Sequence, residues 1–160
     1  MQRYSIIPFD KNHQADINDL MTEIQKEFST IFTSPNSKSI SELAGQGNTF
    51  WVALNDNKVI GTIGLTPFDS KTGILRFMFV AKKYRGRQLN VAKNLLDTAL
   101  TEAKRLGFTD IYLGTMTQFK AAQSFYSKNN FVTIPKTSLP DNMTLSINDT
   151  VFYTFKINYR

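Results

Sequence analysis

Four basic side chains, Lys82, Lys83, Arg85 and Arg87, crowd around one glycine in the segment Lys82-Lys83-Tyr84-Arg85-Gly86-Arg87-Gln88-Leu89-Asn90. An apolar run from Ile74 to Val80, interrupted only by Arg76, leads into it. Leu89, Ala92, Leu95, Leu96, Ala99, Leu100, Ala103 and Leu106 lead out of it at spacings of three and four, the period of one helix face. A strand, a basic turn and a helix start together make a place for an anion. The first N–H groups of a helix lack intrahelical acceptors, and glycine lets a ligand approach the backbone closely. Hydrogen bonds to a charged group contribute about 1.5–3 kcal/mol each. The helix dipole adds about 0.3–1 kcal/mol, so the N–H bonds dominate. A solvated basic turn merely shaped by its glycine has the same composition, and residue types alone leave both readings open. The segment is neither a P-loop nor a dinucleotide fingerprint, because the second glycine of each pattern is missing.

Other chemistry is narrowed by what the sequence lacks. There is no cysteine, which excludes disulfides, a thiol nucleophile and a thiolate metal site. One histidine, His13, is too few for a His-based metal cluster or a catalytic triad. The formal net charge of +6 favours anionic partners without choosing among nucleic acid, membrane surface and a phosphorylated small molecule. No run approaches the roughly 20 apolar residues of a membrane helix, and Met1 to Pro8 lacks the apolar core of a secretory signal. A cytoplasmic protein that is not membrane-bound is therefore expected.

The elements that must position the basic turn follow from periodicity. Tyr4 to Pro8 reads as a first strand. Ile17, Leu20, Met21, Ile24, Phe28, Ile31 and Phe32 mark a helix over residues 14 to 32, broken by Ser34-Pro35-Asn36-Ser37. A short helix at Ser39 to Ala44 is closed by Gly45 and Gly47. Phe50 to Leu54 and Val59 to Leu65 form a hairpin through Asn55-Asp56-Asn57-Lys58. With Ile74 to Val80 they make an antiparallel meander. After the helix stopped by Gly107 come a buried strand at Ile111 to Leu113, a helix at Phe119 to Lys128 and a strand at Phe131 to Ile134. A surface loop follows from Pro135 to Asp149. Val151, Tyr153, Phe155 and Ile157 alternate with Phe152, Thr154 and Lys156, so the last strand is expected to be half exposed. It would be either a pairing edge for a second copy or an ordinary edge guarded by Lys156. The chain is expected to be one α/β (α+β) domain over residues 1–160. Its central sheet would be mixed and mostly antiparallel, with helices on both faces.

The segment Ile74 to Asn90 resembles the cofactor segment of the GNAT (GCN5-related) N-acetyltransferases. That family shows an apolar strand ending in Val, a short link, Arg-Gly-x-Gly-x-Gly/Ala and a long helix with paired leucines, here Leu95-Leu96. Ala122-Gln123-Ser124-Phe125-Tyr126-Ser127-Lys128-Asn129-Asn130-Phe131 is similar to the family's second signature, Ala-x-x-Phe-Tyr-x-x-x-Gly-Phe. The order of elements agrees as well, so the resemblance covers nearly the whole chain. Gln88 and Asn90 depart from the small residues usual at their positions. Asn130 replaces a glycine, and Phe119 stands where Asn is common.

The resemblance implies an acyl-CoA N-acyltransferase-like fold and direct acetyl transfer from acetyl-CoA, as co-substrate, to an amine of a small molecule or peptide, with no metal. It implies backbone contacts to the cofactor from Met78, Phe79 and Val80, with the Met78 N–H facing the thioester oxygen. Arg85, Gly86, Arg87, Gln88, Leu89 and Asn90 would hold the pyrophosphate. Tyr126 would be the general acid that protonates the leaving thiolate, although a tyrosine beside Phe125 also reads as core. No general base is assigned. Glu23, Glu27 and Asp69 read as solvated, His13 as a surface or capping residue, and Trp51 as core. Phe28, Phe32, Leu139 and Met143 would wall the acceptor site. A non-catalytic CoA-binding sensor on the same fold is the alternative reading. A nucleic-acid binder is disfavoured, because the one dense basic cluster is the cofactor turn. A monomer or weak homodimer is expected.

Overall fold

The computed structural model describes residues 3–32 and 37–159. Seven strands form one sheet in the order β1-β2-β3-β4-β5-β7-β6. They are β1 Ser5–Pro8, β2 Thr49–Asn55, β3 Lys58–Asp69, β4 Thr72–Val80, β5 Asp110–Thr115, β6 Val132–Ile134 and β7 Val151–Lys156. All pairings are antiparallel except β4 with β5. The helices are α1 Gln14–Phe28, α2 Ile40–Leu43, α3 Val91–Arg105 and α4 Lys120–Lys128.

Alternation along β2 divides the core between two layers. Phe50 and Val52 pack with Ile17, Leu20, Met21 and Ile24 of α1 and Ile40 of α2. Trp51 and Ala53 face the opposite side, with Val91, Leu95, Leu96, Ala99 and Ala103 of α3 and Tyr126 of α4. Helices therefore cover both faces of the sheet, and each apolar stripe has a buried partner.

Local chemistry explains most of the boundaries. Asp56 and Asn57 both take positive φ, 50° and 63°, as a two-residue hairpin connection requires. Ser39 and Glu42 form a capping box that starts α2. Asn130 takes φ 71°, the left-handed turn that its Asn-for-Gly replacement anticipated. His13 completes a cap by accepting from the Asp10 N–H through Nδ1 at 2.9 Å, and Trp51 is buried, as expected of both.

Two expectations are corrected. The first helix ends at Phe28 rather than at residue 32, because Ser29 turns left-handed at φ 49° and donates to the carbonyls of Gln25 and Lys26. Ile31 is then 79% exposed, so its helical spacing was coincidental. The break expected at Ser34-Pro35-Asn36-Ser37 lies, Ser37 excepted, outside the described residues. The last strand is not an edge. β7 is flanked by β5 and β6, and Phe152 and Tyr153 are both buried. Three residues of β6, folded back after α4, cover the side that the alternation pattern left open.

Two departures from regular pairing shape what lies at the sheet's centre. β4 and β5 pair only through Thr72, Gly73 and Ile74, after which they have no common register. On the other side of β4 the register with β3 jumps between Thr62 and Gly64, so Phe77 and Met78 together oppose Ile63. This bulge puts Phe77 at φ 54°, and the Thr62 hydroxyl donates to the Phe77 carbonyl at 2.5 Å. Bulges re-aim backbone and end pairing. Here the result is a strand whose second half is free of β5.

Candidate active site

A cavity of about 810 Å³ occupies the opening between β4 and β5. All of Ile74 to Val80 lines it, together with Leu113 to Met116 of β5 and its end, and Ala121, Ala122, Phe125 and Tyr126 of α4. It also touches Arg85, Gly86 and Ala92 at the turn, the rings of Phe28 and Phe32, and the loop from Leu145 to Asp149. It is thus one continuous space from the basic turn to the tyrosine helix.

The turn has the open backbone that an anion needs. Among the described residues, the N–H groups of Gly86, Arg87, Gln88 and Leu89 have no hydrogen-bond acceptor. Gly86 sits at φ 113°, a region closed to other residues, and nothing lies within 4 Å of where its Cβ would be. Asn90 turns left-handed at φ 54° as α3 begins, and its N–H contacts the Gly86 carbonyl at 3.3 Å. The side chains of Arg87 and Gln88 are exposed, so Gln88 leaves the space over Gly86 clear. Tyr4 anchors the turn by donating to the Leu89 carbonyl at 2.6 Å.

Arg85 is committed elsewhere. Its guanidinium makes a two-pronged pair with Glu27 of α1 at 2.6 and 2.9 Å, lies over the Phe28 ring, and donates through Nε to the Val80 carbonyl at 2.8 Å. It ties α1 to the end of β4. Glu27, read from sequence as a solvated carboxylate, is this pair's other half, whereas Glu23 is exposed and Asp69 caps the turn before β4 through the Lys71 N–H.

Met78, Phe79 and Val80 all line the cavity. Phe79 faces α1, stacked on Phe32 at 5.2 Å, while Met78 packs with the α3 layer. Met78 lies in the bulge, with no opposite residue on β5 and a shared one on β3. Phe28 and Phe32 meet Phe119 edge-on at 4.7 and 5.9 Å, forming an aromatic wall. Leu139 and Met143, expected in that wall, do not line the cavity; Leu145 to Asp149 take that place.

Tyr126 is 5% exposed and held by Phe125, Phe131 and Tyr153 with ring centroids 5.6–5.7 Å away. Tyr126 is thus a core residue that also borders the cavity. Its phenol is pushed well above the usual range, first by burial and then by the negative charge of Asp149. It stays protonated throughout the neutral range.

Asp149 and Arg76 escaped the sequence reading. Asp149 ends the loop before β7, and its carboxylate rests over Gly114, where a Cβ would come within 2.5 Å of Oδ2. Burial raises its pKa from 3.8 to about 6, while the Ser146 N–H and the positive charge of Arg76 pull it down. Arg76 itself, partly buried, donates to the Thr144 carbonyl at 3.3 Å. An acidic residue before a strand carries no sequence signal of burial, so neither group could be singled out.

The raised pKa of Asp149 has a stability consequence. Its folded value lies above its ordinary one, so its contribution is present below about pH 4 and lost as pH rises through about 6. The ionised carboxylate then costs the fold up to about 3 kcal/mol. Asp149→Asn should therefore raise the melting temperature at pH 8 and leave it nearly unchanged at pH 4, as read by calorimetry. Equal shifts at both pH values would contradict this account.

Comparison with known proteins bears on the site. The model of the Acetyltransferase (GNAT) family matches residues 17–131. Human N-acetyltransferase 8 is 33% identical over 109 residues, which are 64% of this chain and 46% of that protein. The chain thus spans about half the length of the curated relatives it matches. A crystal structure of a GNAT-family acetyltransferase from Staphylococcus aureus Mu50 superposes with a TM-score of 0.88 at 31% identity, covering 97% of this chain and 99% of that one. A GNAT-family acetyltransferase from Elizabethkingia anophelis with acetyl-CoA bound shares the fold, with a TM-score of 0.68 at 17% identity, covering 98% of this chain and 100% of that one.

Proposed function

Because the chain belongs to the GNAT acetyltransferase family, we propose that it moves an acetyl group from acetyl-CoA directly to an amine. The observation that carries this reading is the continuous cavity that runs from Gly86, the first of the four residues with open N–H groups, to Tyr126. A linear molecule with phosphates at one end and a reactive group at the other suits that shape. The chemistry of the donors agrees: backbone N–H groups and Lys82, Lys83 and Arg87 suit a pyrophosphate. The free half of β4 offers backbone to the arm beyond it.

Acetyl-CoA enters as a substrate that supplies an activated acyl group. The chain's own residues do the rest. Gly86, Arg87, Gln88 and Leu89 bind the anionic end, with Asn90 setting the turn. Val80 and Phe79 line the arm. Met78, released from regular pairing by the bulge, presents its N–H where negative charge develops on the acetyl oxygen. A preorganised donor of this kind is worth about 2.7–4 kcal/mol. Tyr126, neutral and buried, holds the proton for the leaving sulfur. With no cysteine in the chain, no acyl-cysteine intermediate can form, which agrees with direct attack by the amine. The Phe28, Phe32 and Phe119 wall favours an amine on an apolar or aromatic group, in a small molecule or at a peptide end.

Thermal stabilisation tests the reading. At a hundred times Kd, acetyl-CoA should stabilise the native state by about 2.7 kcal/mol, and a panel of primary amines should release thiol. No shift with acetyl-CoA or CoA would refute it. A shift with no thiol release would leave a CoA-binding module. Among the described residues no helix is long and apolar enough to cross a membrane.

A further inference from the structure

The geometry points to Asp149 as the catalytic base that accepts the proton from the acceptor nitrogen. This assignment rests on the acetyl-transfer reading and supplies the one role that the residues of the basic turn, β4 and Tyr126 leave empty.

Asp149 lines the cavity that holds Tyr126 and Met78, on the side next to β5. Its carboxylate is seated over Gly114, the one residue of β5 whose missing side chain makes that seat possible. Among the described residues, the groups that face it are few. Arg76 approaches from β4 and Tyr126 from α4, with Tyr153 of β7 behind the Tyr126 ring, and the Ser146 N–H donates to Oδ2 at 3.2 Å from its own loop. Arg76 makes no ion pair with it among the described residues, so the carboxylate is steadied but not neutralised. Glu27, next to the cavity-lining Phe28, has both oxygens bound by Arg85.

Ionisation agrees with that position. A carboxylate that titrates at about 6 is charged at neutral pH and is a stronger base than a solvated one. As the amine nitrogen bonds to the acetyl carbon, its N–H becomes strongly acidic and passes to Asp149. The C–S bond breaks, and the sulfur takes the proton of Tyr126. Protonated Asp149 then returns its proton, directly or through water, to the Tyr126 phenolate, a far stronger base. Both groups are reset, and the products are amide and free thiol.

The test uses the full chain, saturating acetyl-CoA and a panel that includes 2-phenylethylamine and benzylamine. Asp149→Asn keeps an acceptor for the Ser146 N–H. It should bind acetyl-CoA as the wild type does and lose about 10²-fold in kcat. Its kcat/KM profile should lack the acid limb expected near pH 6 in the wild type. The amine's own limb is common to both enzymes and cancels in the comparison. Formate should restore part of the rate to Asp149→Ala, which a purely structural role would not allow. Carbon-13 NMR of the Asp149 carboxyl gives a reading independent of activity. It should titrate near 6 and move upward in Arg76→Met. Transfer by Asp149→Asn at the wild-type rate with the same acid limb, or a carboxyl titrating near 4, overturns the base alone. A wild type that binds acetyl-CoA and acetylates no amine overturns the transferase reading and the base with it.

Discussion

Replacing Tyr126 by Phe should lower kcat by about 10²–10⁴-fold while the Kd for acetyl-CoA stays unchanged. The ring is the part that packs: Phe125, Phe131 and Tyr153 surround it, and Phe preserves those contacts. Among the described residues the hydroxyl makes no hydrogen bond, so its loss orphans no partner there. The substitution should therefore spare stability and remove only the proton. Burial and the nearby Asp149 charge hold that proton through the neutral range, so the wild-type profile should show no alkaline loss from this group there. Isothermal titration for Kd and thiol release for kcat separate the two effects. A Tyr126→Phe enzyme with full turnover would show that the leaving sulfur is protonated by water.

Gly86→Val should weaken acetyl-CoA binding by about 10- to 100-fold. The left-handed conformation at φ 113° is closed to a β-branched residue, so the turn must rearrange. Rearrangement withdraws one or more of the open N–H groups from Gly86 to Leu89, each worth about 1.5–3 kcal/mol against a charged acceptor. Overall stability should change little, since nothing packs against this position. Titration calorimetry with CoA and with a truncated pantetheine thioester tests the source of the loss. CoA affinity should fall, and that of the phosphate-free analogue should not. Equal losses for both ligands would place the pyrophosphate elsewhere.

Arg85 shows how a correct local reading can mislead about a side chain. Its place beside Gly86 made it a phosphate ligand by resemblance. In the folded chain its guanidinium instead binds Glu27, 58 residues away in sequence, and the Val80 carbonyl. The backbone after it, from Gly86 to Leu89, keeps its N–H groups open among the described residues, while the side chain joins α1 to β4. Phe32 is similar: its spacing placed it on α1, yet the left-handed Ser29 ends the helix and turns it onto Phe79.

What the sequence by itself determined is local. The helix and strand periods, the Asp56-Asn57 hairpin, the left-handed Asn130 and the strand–basic turn–helix order of residues 74 to 106 follow from each residue's own conformational and burial preference. Those preferences act over a few neighbours, so they can be read in one chain. What only the tertiary structure decided depends on distant segments meeting. The opening between β4 and β5 exists because their pairing stops at Ile74. The last strand is interior because β6 returns beside it. Asp149 gains its charge environment only when Gly114, Arg76 and Tyr126, from three separate elements, close around it. Desolvation, which sets the proton affinities of Asp149 and Tyr126, is a property of that enclosure rather than of either residue.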